Sequence, residues 1–293
     1  MMLRHRLARP WLWALRSARA VVAGKDANAF RILIFHHIPH DARDAFAALV
    51  AELRRNHGVL APEDAEARLA GRPTHSPGGA PEGRGDRLPC LLSFDDGFAS
   101  NFDVANEVLA THDIRALFFV CPGLVDLEAD EQREGIARGI FQGRLEADEL
   151  GADLRLMSWS EIAELKAQGH TIGAHGLVHR KLTRLAGEEL AGEVVEAGDI
   201  LEERLGAPVA WFAYAFGTVA SVSRPAFELI AERYRYCRSG VRGQNTPTTN
   251  PHALLADAID LGAPADYHAL IIEGGLDLAY VRARTRLAQM AAP

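Results

Sequence analysis

Four side chains in this sequence have the types and spacing to do chemistry: the adjacent carboxylates Asp95 and Asp96, and the imidazoles His175 and His179. Asp95-Asp96-Gly97 ends the apolar run Leu91-Leu92-Ser93-Phe94, which reads as a buried strand, and Gly97 supplies the freedom for a sharp turn. Two acids at a buried strand end repel each other unless something positive lies between them or one keeps its proton. One of them could instead cap the helix that begins near Ser100. His175-Gly176-Leu177-Val178-His179 follows a short strand, Thr171 to Ala174, so its two rings come from a strand end and the loop beyond it. An i, i+4 histidine pair alone is more often solvated or structural than ligating. At the mouth of the same sheet as Asp95-Asp96, two neutral imidazoles and one carboxylate make a three-ligand site with positions left for water, the catalytic pattern for zinc. Co, Ni, Fe and Mn fit the same donors. A third stretch, Trp211-Phe212-Ala213-Tyr214-Ala215-Phe216-Gly217, is a strand passing into a glycine turn, which can offer backbone N–H groups to a developing oxyanion.

The elements that must position these residues alternate strand and helix. Strands are expected at Arg31 to Phe35, ending at His36-His37, then at Leu88 to Phe94 and Ile114 to Cys121. Further strands are expected at Thr171 to Ala174, Val209 to Tyr214, Tyr234 to Cys237, near Ala258 to Leu261 and near Leu270 to Ile272. Helices are expected at Asp41 to Asn56, around Val104 to Leu109, from Ser158-Trp159-Ser160-Glu161 with its capping-box spacing, at Leu185 to Leu205, around Phe227 to Arg233, and at Leu278 to Met290. This alternation predicts a single α/β domain with a closed or nearly closed parallel sheet and its site at the carboxyl ends of the strands. Gly71 to Pro89, rich in Gly, Pro and charge, reads as a surface loop. Residues 124–157 break the alternation; acidic and glycine-rich, they read as an insertion, either covering a pocket or forming a plain surface excursion.

At 48% hydrophobic and 24% charged, the 293 residues can bury a substantial core. A net charge of −7 argues against a nucleic-acid partner, which would need a basic face. Cys90, Cys121 and Cys237 are odd in number and widely spaced, which suggests reduced buried thiols and a cytoplasmic setting. Residues 1–28 form a separate basic amphipathic segment, ahead of a main domain at 29–293. Arg4, Arg6, Arg9, Arg16, Arg19 and Lys25 precede any acid, while Leu3, Leu7, Trp11, Ala14, Ala18 and Val22 fall at helical spacing. The apolar core Trp11 to Leu15 is too short for a secretory signal. Residues 3–25 either rest on an anionic membrane, with Trp11 and Trp13 at the headgroups, or pack on the domain as a terminal helix.

The three motifs together resemble the polysaccharide deacetylases with a NodB homology domain, carbohydrate esterase family 4. That family carries [TS]-F-D-D-G, H-[ST]-x-x-H and R-x-P-Y in this order, and Ser93 to Gly97, His175 to His179 and Ala213 to Phe216 match in order and spacing. The resemblance runs from about Arg31 to Glu273. It implies a distorted (β/α) barrel of about seven parallel strands, an acetylated saccharide as substrate, and a divalent metal, zinc foremost. Position by position it makes Asp95 the general base and Asp96, His175 and His179 the metal ligands, puts the Phe216 backbone N–H at the oxyanion, and sets Tyr214, Phe216 and His36 beside the substrate. Three departures stand out. Gly176 replaces the Ser or Thr that steadies the metal loop, Ala213 the Arg that orients the catalytic Asp, and Ala215 the proline. Arg238, after the strand ending at Cys237, could supply the missing guanidinium. The late histidine that serves the family as general acid has no clear match; His36, His37, His252 and His268 are candidates, with His268 foremost. The resemblance therefore implies a metal-dependent carbohydrate deacetylase, which removes acetyl from N-acetylated sugars of a polysaccharide, oligosaccharide or lipid-linked precursor. The departures leave two alternatives: a non-catalytic metal- and carbohydrate-binding relative, or a hydrolase of formyl or other amides or esters.

Overall fold

The computed structural model describes residues 8–19, 26–72, 87–151 and 153–292. Its strands are β1 (Arg31–Phe35), β2 (Val59–Leu60), β3 (Cys90–Phe94), β4 (Leu117–Val120), β5 (Thr171–Ala174), β6 (Trp211–Ala213), β7 (Tyr236–Arg238) and β8 (Asp257–Ala258). Seven run in the order β7-β6-β5-β4-β3-β1-β8, with β2 beside β3, and every pairing is parallel. The sheet curls into a distorted (β/α) barrel. Its two edges approach where Leu254 bridges Arg238 and Asp257 pairs with Leu33.

Burial on both faces explains why these strands read as continuous apolar runs rather than as alternation. Leu33 and Phe35 of β1 join Leu92, Phe94 and Phe118 in the layer beneath the helices, while Ile32 and Ile34 join Leu91, Leu117, Phe119 and Trp211 on the opposite face. The Phe94 and Phe118 rings stack at 4.7 Å between centroids, locking β3 to β4 one residue before the paired aspartates. Helix Arg43–Asn56 covers the outer layer with Phe46, Leu49, Val50 and Leu53. Ser158 caps Trp159–Ala167 through the reciprocal bonds that its spacing with Glu161 predicts. Cys90, Cys121 and Cys237 are free and buried.

Some expectations fail in instructive ways. Leu270 to Ile272 lie in a helix, Ala265–Ile272, not a strand. Pro264 starts that helix, and a short apolar run has no period to tell the two forms apart. The helix expected over Leu185 to Leu205 is α-helical at Gly187–Ala191 and Ala197–Leu205, with a π-turn at Gly192–Glu196 between them. The last helix is a 3-10 turn at Asp277–Tyr280 running into Val281–Met290. Arg238 belongs to β7 itself rather than to the loop after it. β2 and helix Pro62–Leu69 have no counterpart among the expected elements.

Residues 124–157 form a packed unit, in which Leu124, Ile136, Leu150 and Leu156 close over Phe98 and Cys121. The Arg133 guanidinium ties it together by donating to the carbonyls of Ala147 (2.7 Å) and Leu150 (2.6 Å). Helix Ala8–Arg19 docks on the domain through Ala8 and Leu12 against Leu270, with Arg16 paired to Glu273. Trp13 on that helix is 74% exposed. Arg4, Arg6, Lys25, Leu3, Leu7 and Val22, and most of the loop expected from Gly71 to Pro89, lie outside the described residues. Among the described residues, no helix is long and apolar enough to cross a membrane.

Candidate active site

The carboxyl ends of β3 and β5 bring the four chemical side chains together. After Phe94 the chain turns through Asp96 (φ 71°) and Gly97 (φ 80°), and after Ala174 through Gly176 (φ 81°) and His179 (φ 63°). Non-glycine residues in this left-handed region cost ~1–3 kcal/mol each and gather where function over-determines them. Of the five among the described residues, three (Asp96, His179 and Phe216) meet here.

Asp96 Oδ1 lies 3.5 Å from His175 Nε2 and 3.3 Å from His179 Nε2, and all three side chains are buried. Each imidazole turns its other nitrogen to a carbonyl: His175 Nδ1 donates to Ala213 O at 2.7 Å, and His179 Nδ1 to Gly139 O at 3.1 Å. Because a carbonyl only accepts, Nδ1 carries a proton in each ring, and in the neutral ring the Nε2 lone pair is turned to the carboxylate. Asp96 Oδ1 has no hydrogen-bond partner. The three ligand atoms lie within 4.8 Å of one another. Burial alone would raise the Asp96 carboxyl, yet the imidazoles of His175, His179 and His36 outweigh it and hold the group well below the usual carboxylate range. Burial pushes His179 down toward the neutral ring, while for His175 the neighbouring Asp95 and Asp96 overcome burial and raise it. An orphaned carboxylate oxygen facing two imidazole nitrogens suits a divalent cation, and the donor set is the one that zinc, cobalt, nickel, iron or manganese takes.

Asp95 stands beside this cluster. Its Oδ1 accepts from the buried Arg238 Nη2, and its Oδ2 lies 3.8 Å from His175 Nε2 and 4.0 Å from His36 Nε2. Arg238 is in register with Ala213 on the next strand. The guanidinium absent from position 213 is thus supplied one strand over, stacked 4.9 Å above the Phe119 ring.

A family model for polysaccharide deacetylases matches residues 83–231, just over half of the chain and all three motifs. The chain belongs to the polysaccharide deacetylase family. No curated protein matches it. IcaB from Ammonifex degensii overlays with a TM-score of 0.62 at 23% identity, spanning 85% of this chain and 98% of that one. The Streptococcus pyogenes deacetylase PplD, solved in complex with acetate, gives 0.63 at 16% identity, over 85% and 100%. The BpsB deacetylase domain from Bordetella bronchiseptica gives 0.58 at 16%, over 81% and 98%. At these identities the likeness is one of fold.

Within the polysaccharide deacetylase frame, two expected site residues stand elsewhere. Tyr214 is buried, its hydroxyl donating to Gly217 O at 3.2 Å, so it braces the third turn from beneath rather than facing a saccharide. His268 is buried on helix Ala265–Ile272 with Nε2 bonded to the Asp260 carbonyl, and among the described residues no contact links it to Asp95 or Asp96. His252 bonds the Tyr234 carbonyl, and His37 is held between Ser100 and Asp153. Of these four candidate histidines, His36, half exposed, is the one that lies beside Asp95. Phe216 packs edge-on against His179 at 4.6 Å between ring centroids.

A cleft of about 1020 Å³ opens from His179 and Phe216 between residues 124–143 and the loop 178–185. The insertion therefore walls the site, and its Gly139 carbonyl orients a ligand ring. Gly139 and the buried Glu193, which accepts from the loop amides, are contributors that motif reading missed. Glu193 had left a trace: an acid on the apolar stripe of Leu190, Val194, Ala197 and Leu201.

Proposed function

We propose that this chain is a metal-dependent hydrolase that removes the acetyl group from N-acetylated sugars of a polysaccharide, oligosaccharide or lipid-linked glycan precursor. The observation that carries the reading is the pairing of Asp95 with Arg238 directly beside the orphaned Asp96–His175–His179 cluster. Asp96, His175 and His179 would hold the divalent ion, zinc foremost. Bound there, the ion would polarise the amide carbonyl and make water more acidic.

The chain's own groups account for the proton movements. Arg238 is a positioning residue: it occupies Oδ1 of Asp95 and leaves Oδ2 to take a proton from the attacking water. As water adds to the acetyl carbon, negative charge grows on the carbonyl oxygen, and the Phe216 backbone N–H in the third turn is assigned to meet it. The C–N bond then breaks, acetate forms, and the leaving nitrogen takes up a proton. His36 would deliver it, a role supported by its half exposure and its place 4.0 Å from Asp95. The cleft between the insertion and the 178–185 loop would take the saccharide beyond the acetylated residue. Peripheral membrane contact through residues 3–25 belongs to the same reading, supported by the exposed Trp11 and Trp13.

The test is metal content together with acetate and formate release from a panel of acetylated and formylated saccharides, with and without chelator. Chelator-sensitive acetate release supports the reading. Metal binding with no product from any substrate would make this a carbohydrate-binding relative, and formate as the main product would make it a deformylase.

A further inference from the structure

We propose that Glu193 is a positioning residue for the metal cluster: its buried carboxylate pins His179 in the left-handed conformation that aims Nε2 at Asp96. The inference rests on reading Asp96, His175 and His179 as ligands. Glu193 Oε1 accepts from Arg180 N at 2.7 Å and from Val178 N at 3.3 Å, and Oε2 lies 3.4 Å from Val178 N. Those amides flank His179 on either side. Alternate backbone N–H groups converge on one anion only when the chain between them turns into a concave nest, and the φ of 63° at His179 is part of that turn. A side-chain-bearing residue holds such a conformation only when its surroundings impose it. The carboxylate imposes it from one side, and the bond from His179 Nδ1 to Gly139 O fixes the ring from the other.

Two further observations point the same way. Glu193 is 2% exposed on an otherwise apolar helix face, a placement that is costly for a carboxylate and tolerated because both amides satisfy it. Gly176 has no side chain, and a Cβ there would collide with Glu193 Oε1. With no hydroxyl at position 176 to steady the loop, that task falls to the glutamate. Glu193 and Gly139 both stand on π-turns, local distortions that recur at functional sites because they redirect a single group without ending the helix.

The experiment measures zinc affinity by competition with a chromophoric chelator, the visible spectrum of the cobalt(II) form, and the Tm of the metal-free protein, for wild type, Glu193→Ala and Glu193→Gln. Loss of an outer partner of a ligand weakens metal binding by roughly 10–100-fold. Glu193→Ala is expected in that range, with an altered cobalt spectrum; Glu193→Gln, which keeps one accepting oxygen, should fall between it and wild type. A lowered Tm in the metal-free variants with zinc affinity and cobalt spectrum unchanged would mean that Glu193 only ties a helix to a loop, and would overturn the proposal. Should Glu193→Ala not fold, unchanged affinity in Glu193→Gln overturns it alone. A wild type that binds no zinc would instead defeat the ligand reading itself, so the two failures are distinguishable.

Discussion

Two buried ion clusters sit in this barrel, and they are built on opposite terms. Around the start of β1, Arg31 bonds Asp257 at 2.6 Å and Asp277 at 2.5 Å, and Arg242 reaches Asp257 at 3.4 Å: two guanidiniums for two carboxylates. Where β3, β5 and β7 end, there is one guanidinium for two carboxylates: Arg238 bonds Asp95, and Asp96 faces imidazoles instead. The first cluster balances its charges, although Asp277 Oδ1 has no partner of its own. The second is one guanidinium short, and its spare oxygen, Asp96 Oδ1, faces two imidazole nitrogens. Balanced charge is what a structural cluster needs, whereas a deficit held in place by the fold is what a metal site needs.

The largest test of that contrast separates the two aspartates. Asp95→Asn should lower the turnover of the metal-loaded enzyme by roughly 10³-fold or more with zinc still bound, while Asp96→Asn should lose zinc and turnover together. Metal content beside single-turnover acetate release decides it, and equal zinc loss in both would merge their roles. Next comes the charge-balanced cluster. Arg31→Met leaves the buried Asp257 with Arg242 alone, at 3.4 Å, and should cost about 3 kcal/mol in denaturant unfolding, with the zinc affinity of the folded protein unchanged. Arg238→Met should lower kcat by roughly 10²-fold with little change in zinc affinity, since it releases the base and not a ligand. Moving the guanidinium back, in Ala213→Arg with Arg238→Ala, should recover part of that loss because the two positions are in register. Stripping the metal should destabilise wild type by about 2.7 kcal/mol relative to protein at free zinc near 100 times Kd, and the Asp96→Asn variant not at all.

The smallest effect contrasts two histidines on either side of β5. His175 faces the carboxylates, whereas His170 is pushed down to about 4 by burial and Arg115, with its Nδ1 accepting from the Ala116 N–H at 3.1 Å. Its folded-state value lies below the ordinary 6.5, so the unfolded chain binds the proton first as pH falls. The stability this imidazole contributes is complete above pH 6.5 and drains away down to about pH 4, by about 2 kcal/mol between 6.5 and 5. Urea unfolding across that range should lose this slope in His170→Gln, and an unaltered slope would assign the acid sensitivity elsewhere.

How legible the molecule was depends on how local each feature is. The strands at Arg31, Leu91, Leu117, Thr171 and Trp211 stand where their apolar runs put them, because strands buried on both faces carry that signature without help from neighbours. Leu270 to Ile272 carries the same signature and is helical, since the decision lay with Pro264 and the packing of helix Ala8–Arg19. In the site, the placing of Asp96 with His175 and His179 was readable from motif spacing. Tyr214 and His268 were misplaced because burial and a bond to Gly217 or Asp260 cannot be seen along the chain.

By itself the sequence determined the parallel barrel, the family and the three ligand candidates, because each follows from short contiguous patterns whose turns and periods are local. Only the tertiary structure decided that Arg238 holds Asp95, that His36 rather than His268 stands beside it, and that Gly139 and Glu193 set His179. Those partners lie on different strands and π-turns, and sheet register and helix packing, which belong to the whole chain at once, bring them within reach.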